Sequence, residues 1–490
     1  MKTNTLDFDA QALREKILDL AMRGKLVPQD PNDEPASVLL EKIKAEKEQL
    51  IKEKKIKKSK PLAPITDDEK PFDIPDSWEW VRLGDVITIL RGGSPRPIKK
   101  YLTDDPQGIN WIKIGDSKPN SKYIEYAAEK IIPEGLSKTR IVSKGDFLLS
   151  NSMSFGRPYI LKINGAVHDG WLILSDYDHL FNKDYLYYLL SSGFINTQFM
   201  NLATGSTVKN LNRERVANTI AVVPPLKEQS RIAAKIAQLF ALLRKVESST
   251  QQYAKLQTLL KSKVLDLAMR GKLVEQDPHD EPASVLLEKI KAEKRKMIKE
   301  KKIKKSKPLP PITDDEKPFD IPDSWEWVRL GDVYHFVDYR GKTPHKISSG
   351  IRLITAKNVR NGYIKLEPEE FISLEEHKER STRGLINKGD IFITTEAPMG
   401  LVALNNFDEP IATAQRLITL QKVSKYQDSS FAAFQMQSSF FQKELQQKAT
   451  GSTVKGIKAS NLKQVLILIP PLAEQRRTVK KISQVLKLLK

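Results

Sequence analysis

The chain repeats itself, and the repeat constrains the fold more than any single motif does. Lys16–Val86 matches Lys263–Val333 at an offset of 247 residues, with seven differences in 71 positions. A second set of matches follows at an offset of 246: ATGSTVK at Ala203–Lys209 and Ala449–Lys455, then PPLKEQSR at Pro224–Arg231 against PPLAEQRR at Pro470–Arg477. Between these blocks, residues 87–202 and 334–448 have nearly equal length and share little. The layout is frame, variable domain, frame, variable domain, frame. A period this long with domain-sized variable parts is not a solenoid. It describes a pseudo-dimer in one chain, which suits a target with two halves, as dimeric DNA readers do.

The frame contains a long helix. From Lys227 to Arg270 the positions Ile232, Ile236, Leu239, Leu243, Val246, Thr250, Tyr253, Gln257, Leu260, Val264 and Leu267 step by four and three, a heptad seam with two polar interruptions. Pro224 and Pro225 bar an earlier start and Gly271 supplies a stop. At ~1.5 Å per residue the rod spans roughly 65 Å and needs a partner. Thr478, Ile482, Val485 and Leu489 repeat the first half of the seam, and Leu13, Ile17 and Leu20 the second half. The two terminal segments are therefore expected to pack along the central helix, like a circle cut open inside one of two equivalent helices. After Gly24 and Gly271 comes the amphipathic PASVLLEKIKAEK, then a lysine tract, KEKKIKKSKP, then a proline-rich linker. The linker ends at DIPDSWEWVRLGDV, where Trp78, Trp80, Trp325 and Trp327 alternate with polar residues. That alternation predicts anchors for the first strand of each domain rather than bases of a stacking platform.

The expected segments are a terminal helix (1–27), a basic helical insertion and linker (28–77), a first recognition domain (78–223), the central helix (224–271), a second basic insertion (272–324), a second domain (325–469) and a C-terminal helix (470–490). The fold class is α/β (α+β): two copies of one domain, joined by long antiparallel coiled-coil helices with pseudo-twofold symmetry. The first domain carries strand-like runs at Trp111–Asp116, Lys144–Ser150 and Trp171–Leu174, the second at Arg352–Asn358, Lys388–Thr394 and Arg416–Leu420. RGGSP against RGKTP, KGD against KGD and a closing TGST give both the same skeleton.

Composition narrows the chemistry. Without cysteine, the chain has no disulfide, thiolate zinc site, iron–sulfur cluster or cysteine nucleophile. No run approaches the ~18 apolar residues of a membrane span, and the start does not read as a signal peptide, so a cytoplasmic protein is expected. The net charge of +20 points to a polyanion, most simply nucleic acid. Yet each variable domain is only +3, while the lysine tracts Glu41–Lys60 and Glu288–Lys307 carry +5 and +8. The tracts suit non-specific phosphate attraction or a partner's acidic surface. Specificity has to come from a few placed side chains on nearly neutral domains.

The ordered double set of motifs resembles the specificity subunit of type I restriction–modification enzymes. The residues that carry the resemblance are W-x-W-x-x-L-G-D-V, R-G-G/K-S/T-P, K-G-D, A-T-G-S-T and P-P-L-x-E-Q at the head of a long helix, each present twice. The resemblance implies two target-recognition domains, each reading one half of a split double-stranded DNA site, with paired helices as the ruler between them. It implies docking of methyltransferase subunits, two in number, joined by restriction/translocase subunits. S-adenosylmethionine, ATP and magnesium then belong to those partners; no cofactor or metal is expected on this chain.

The residues agree that this chain is not the catalyst. Adenine-N6 methylation usually needs an Asp/Asn-Pro-Pro-aromatic loop, but the helix-opening Pro-Pro pairs here are followed by leucine. Gly341-Lys342-Thr343 has the tail of a phosphate loop, but Phe336 stands where its first glycine belongs. The six histidines include no H-x-x-x-H pair. DNA readout needs forked donors, amides and phosphate-binding cations on loops. In the first domain the candidates are Arg91, Gly92, Gly93, Ser94, Arg96, Lys113, Ser152, Ser154, Arg157, Trp171, Thr207 and Lys209. In the second they are Arg340, Lys342, Thr343, Lys346, Lys357, Asn358, Arg360, Thr395, Glu396, Arg416, Thr453 and Lys455. A non-catalytic coiled-coil scaffold, with basic tracts making protein contacts, is the alternative of another class, and a standalone nuclease or methylase is a third.

Overall fold

The computed structural model describes residues 8–53, 61–118, 121–151, 155–202, 211–339, 343–382, 384–451 and 454–489. The chain divides into two compact units, one within residues 6–250 and the other within residues 251–490. The division falls inside the long helix Leu226–Met269, so each unit takes one half of it.

In the unit of residues 6–250, helix Ala10–Met22 starts at Asp9, whose carboxylate accepts the Ala12 N–H at 2.9 Å. It ends where Gly24 turns at φ +67 and Lys25 N–H donates to Leu20 O at 2.9 Å. A Cβ at Gly24 would lie 2.4 Å from Pro75, so only glycine fits. Leu18, Ala21 and Met22 share one buried cluster with Ile232, Ala233 and Ile236 of the long helix. Arg14 pairs with Glu247 at 2.5 Å. Strand Glu79–Arg82 pairs antiparallel with Ile220–Val223 and ties the two ends of the domain together. Between them lie two five-stranded sheets. One has the order Thr88–Arg91, Trp171–Ser175, Phe147–Ser150, Pro158–Leu161, Tyr123–Ile124. The other is mixed, with the parallel pair Ile109–Ile112 and Gly165–Val167 at its centre.

The unit of residues 251–490 repeats this plan. Glu326–Arg329 pairs with Leu466–Ile469. A four-stranded sheet runs Tyr334–Asp338, Leu417–Lys422, Ile391–Thr394, Val402–Leu404, and a three-stranded sheet holds the parallel pair Ile351–Ile354 and Ile411–Thr413. Helix Leu472–Leu488 packs on the second half of the long helix: Ile482 is buried with Val264, Leu265, Ala268 and Met269. Gln257 Nε2 donates to Leu489 O at 2.5 Å. So each terminal helix covers one end of the long helix, within its own unit.

The seam differs from the expectation in the middle. Ile232, Ile236, Leu243 and Val264 are buried, but Val246, Tyr253 and Leu260 are exposed, as are Leu256 and Leu259 beside them. The described partner helices have 13 and 17 residues against 44 in the long helix, so the seam is buried near its ends only.

The frame motifs now have a structural reason. The Glu228 carboxylate is 1% exposed. It accepts the Trp78 indole N–H at 2.9 Å and the Gln29 amide at 2.6 Å. Next to it, the Gln229 amide donates to the carbonyls of Leu180 and Pro224, both at 2.9 Å. Glu474 takes Trp325 at 2.9 Å and Gln276 at 2.6 Å in the same way. Burial pushes both carboxylates above the usual glutamate range, against the pull of their two donors. P-P-L-x-E-Q is thus a clasp that fastens the head of each helix to the first tryptophan of its domain. Trp80 and Trp327 are half-buried and meet Phe194 and Phe440 edge-on at 5.7 and 5.8 Å. All four tryptophans serve as anchors, as their alternation predicts.

Candidate nucleic-acid interface

In each recognition domain three loops converge at one end of the central sheet. In the first domain, Gly92 N–H donates to Trp171 O at 2.9 Å and Gly93 N–H to Val167 O at 3.2 Å, which lays the Arg91–Arg96 loop on the 168–171 turn. A Cβ at Gly92 would meet His168 O at 2.2 Å. The glycines therefore let this loop approach the protein's own backbone; Gly92 itself is buried. Ser94 Oγ donates to Asp169 Oδ1 at 3.0 Å. Gly170 N–H donates to His168 Nδ1 at 3.0 Å, and His168 Nε2 faces Asp169 Oδ1 at 3.0 Å. Asn151, buried, donates to Asp169 O at 2.8 Å and joins the third loop. Arg91 and Arg96 stand exposed around this hub.

The second domain reproduces two backbone links of the hub. Thr395 N–H donates to Arg416 O at 2.9 Å as Asn151 N–H does to Gly170 O at 3.0 Å. Ile457 N–H donates to Thr395 O as Leu211 N–H does to Asn151 O, both at 2.9 Å. Thr343 Oγ1 accepts the Gln415 amide at 3.1 Å where Ser94 bonds Asp169. These bonds pair position 169 with 415 and 170 with 416. The skeleton is shared, but Gln415-Arg416 stand in the second domain at the positions of Asp169-Gly170 in the first. Arg416 Nε meets the Glu396 carboxylate at 2.8 Å. Arg416 and Ala397 both adopt left-handed backbone, φ +66 and +48, conformations that cost about 1–3 kcal/mol each and cluster where a loop must aim a side chain.

The sequence-derived candidates divide accordingly. Arg91, Arg96, Arg157, Thr343, Lys357, Arg416 and Lys455 are exposed. Lys113 and Lys346 are committed to Glu129 at 2.5 Å and Glu370 at 2.8 Å. Arg360 folds onto the carbonyls of Lys357 and Val359 at 2.8 and 2.9 Å. Thr395 is buried and works through its backbone. Two candidates are corrected. Trp171 is 0% exposed and packs edge-on against Tyr159 in the core. Asn358 is 2% exposed; its Oδ1 accepts Thr355 N–H at 2.9 Å and its amide donates to Lys365 O and Pro368 O, both at 3.0 Å, closing a turn. Ser152, Ser154, Thr207, Lys209, Arg340, Lys342 and Thr453 lie outside the described residues. Asp169, His168 and Gln415 are the site residues that sequence reasoning missed. The signal was there: they precede the paired strands Trp171–Ser175 and Leu417–Lys422, once these are aligned by register.

A family model described as the type I restriction modification DNA specificity domain matches residues 75–257 and again 322–490. The chain belongs to the type I restriction–modification specificity family. The specificity subunit of the type I restriction enzyme EcoAI from Escherichia coli is 32% identical, covering 98% of this chain and 89% of that protein. The EcoEI specificity subunit from the same species is 30% identical with the same coverage. A solved chain from a study of complex assembly in the type I R-M system has a TM-score of 0.56 over 86% of this chain and 92% of its own, at 20% identity, which speaks to the fold. Specificity subunits are the non-catalytic part of such systems. The two matches take in both recognition domains and reach into the long helix and the C-terminal helix, so the specificity domain occurs twice in the chain.

Proposed function

We propose that this chain is the DNA-specificity subunit of a type I restriction–modification complex. Each recognition domain reads one half of a bipartite target in double-stranded DNA. The helices set the spacing of the halves and dock methyltransferase subunits, two in number, to which restriction/translocase subunits add. Adenine-N6 methylation with S-adenosylmethionine and ATP- and magnesium-dependent cleavage belong to those partners, in the cytoplasm; this chain binds none of the cofactors. One observation carries the reading: two domains share a hydrogen-bonded three-loop hub and differ in the side chains mounted at the same points of it. A fixed mount with exchangeable readers is what two unlike half-sites require. Arg416 can fork onto guanine, Gln415 can pair with adenine and Asp169 can accept from cytosine N4.

The test is an exchange of residues 87–202 with those of another specificity subunit, followed by methylome sequencing. One half of the methylated target changes and the other half stays. An unchanged target would reduce the domain to a spacer, as a scaffold protein would have it.

A further inference from the structure

The second lysine tract is built as a mount. Helix Ala283–Lys299 is followed by a reversal at Lys301, at φ +57, where Lys302 N–H donates back to Met297 O at 2.9 Å. The reversal sends Ile303, 7% exposed, into the cluster of Leu286, Leu287 and Ile290. Upstream, Lys294 Nζ donates to the carbonyls of Gly331 and Asp332 at 2.8 and 3.0 Å. Downstream, Arg329 donates to Pro310 O at 2.7 Å and Pro311 O at 3.0 Å and closes on Glu316 at 2.8 Å. The segment is held before, within and after its charges.

On this strap Arg295, Lys299, Lys301, Lys304, Lys305 and Lys307 are exposed. Lys289, Lys291 and Lys302 have Glu281, Glu288 and Glu300 within 2.5–3.0 Å. The six exposed cations have no carboxylate at ion-pair distance among the described residues. A protein partner would need an apolar centre to bury, but Ile303 is buried and Leu309 is half-buried. A row of uncommitted cations, with no large apolar side chain fully exposed among them, fits a regular array of phosphates.

We infer that the strap of residues 295–307 holds the sugar–phosphate backbone of DNA outside the bases read by its recognition domain. The inference rests on the specificity reading above and adds a contact that carries no sequence information. The first copy of the tract reaches residues 54–60, which lie outside the described residues.

The experiment uses the full-length chain with its methyltransferase subunits, and duplexes that either end at the target or extend beyond it. All six cations are changed to glutamine in one variant and, where they are lysine, to arginine in another. On the extended duplex the glutamine variant loses about 0.9 of logarithmic salt slope for each phosphate contact, about 5 for all six, with unchanged preference for the target over scrambled DNA. The arginine variant keeps the wild-type slope, which separates charge from folding. An unchanged slope in the glutamine variant overturns the inference. So does an unchanged slope with loss of co-purifying methyltransferase subunits, which would assign the strap to an acidic protein surface. If wild-type protein itself fails to prefer the target, the specificity reading falls instead of the strap alone.

Discussion

At the scale of single residues, the twin clasp makes the sharpest prediction. Glu228→Ala leaves the Trp78 indole N–H buried without an acceptor, which costs about 1–3 kcal/mol. Glu228→Gln keeps an acceptor for Trp78, and its amide can donate to Gln29 once that side chain flips, so it is milder in denaturant melts. The pH dependence has a defined sign. Burial raises the folded-state value of Glu228 and Glu474, so their contribution to stability is complete below the unfolded glutamate value of about 4.3 and is lost as pH rises through the higher folded value. Melting temperature measured across that window should fall less in Glu228→Gln/Glu474→Gln than in wild type; equal slopes would remove the buried carboxylates as the cause. At the interface, Arg416→Ala or Arg91→Ala weakens target binding by about 1–3 kcal/mol where the guanidinium forks onto a base. Gln415→Glu replaces an amide by an acceptor and should redirect the preferred base at one position of one half-site, read by binding to a randomised duplex pool.

Elements impose their own rules. Gly271 turns at φ +66, and a Cβ there would lie 2.5 Å from Pro322, as at Gly24 beside Pro75. Gly271→Ala therefore costs more than the ~1 kcal/mol of a simple helix-end substitution, measured as a drop in urea midpoint. The long helix behaves differently along its length. Ile236→Ala empties a buried position and costs about 2–5 kcal/mol, whereas Leu259→Gln in the exposed middle stays within about 0.5 kcal/mol. Equal losses at the two positions would mean that the middle is covered too.

For the whole molecule, duplication is the organising fact. Replacing residues 334–448 with a copy of residues 87–202 should yield a chain whose two half-sites are identical, so that methylome sequencing returns a symmetric target. Two different half-sites from two identical domains would break the link between domain and half-site. The same duplication made much of the fold legible: frame, variable parts, tryptophan anchors and helix stops all followed from matched blocks. The interface was less legible, for a physical reason. The strand-like runs start at Trp171 in one domain and at Arg416 in the other, but strand register makes Leu417 the equivalent of Trp171, and Arg416 that of Gly170. A slip of one residue exchanges surface for core, because side chains alternate along a strand. Asn358 misled in another way: an amide reads equally well as a base reader and as a turn closer, and only burial decides between them.

By itself, the sequence determined the twofold plan, the long helix with its stops, the location of the charge and the family. Periodicity, repetition and glycine or proline at chain reversals are local signals, and they survive without knowledge of what packs on what. Only the tertiary structure decided that the seam is covered near its ends and bare in its middle, that Glu228 and Glu474 are clasps, and that Asp169 and Gln415 occupy one point of a shared hub. Those depend on contacts between residues as much as 233 apart in the chain, such as Arg14 with Glu247. No window of sequence contains them.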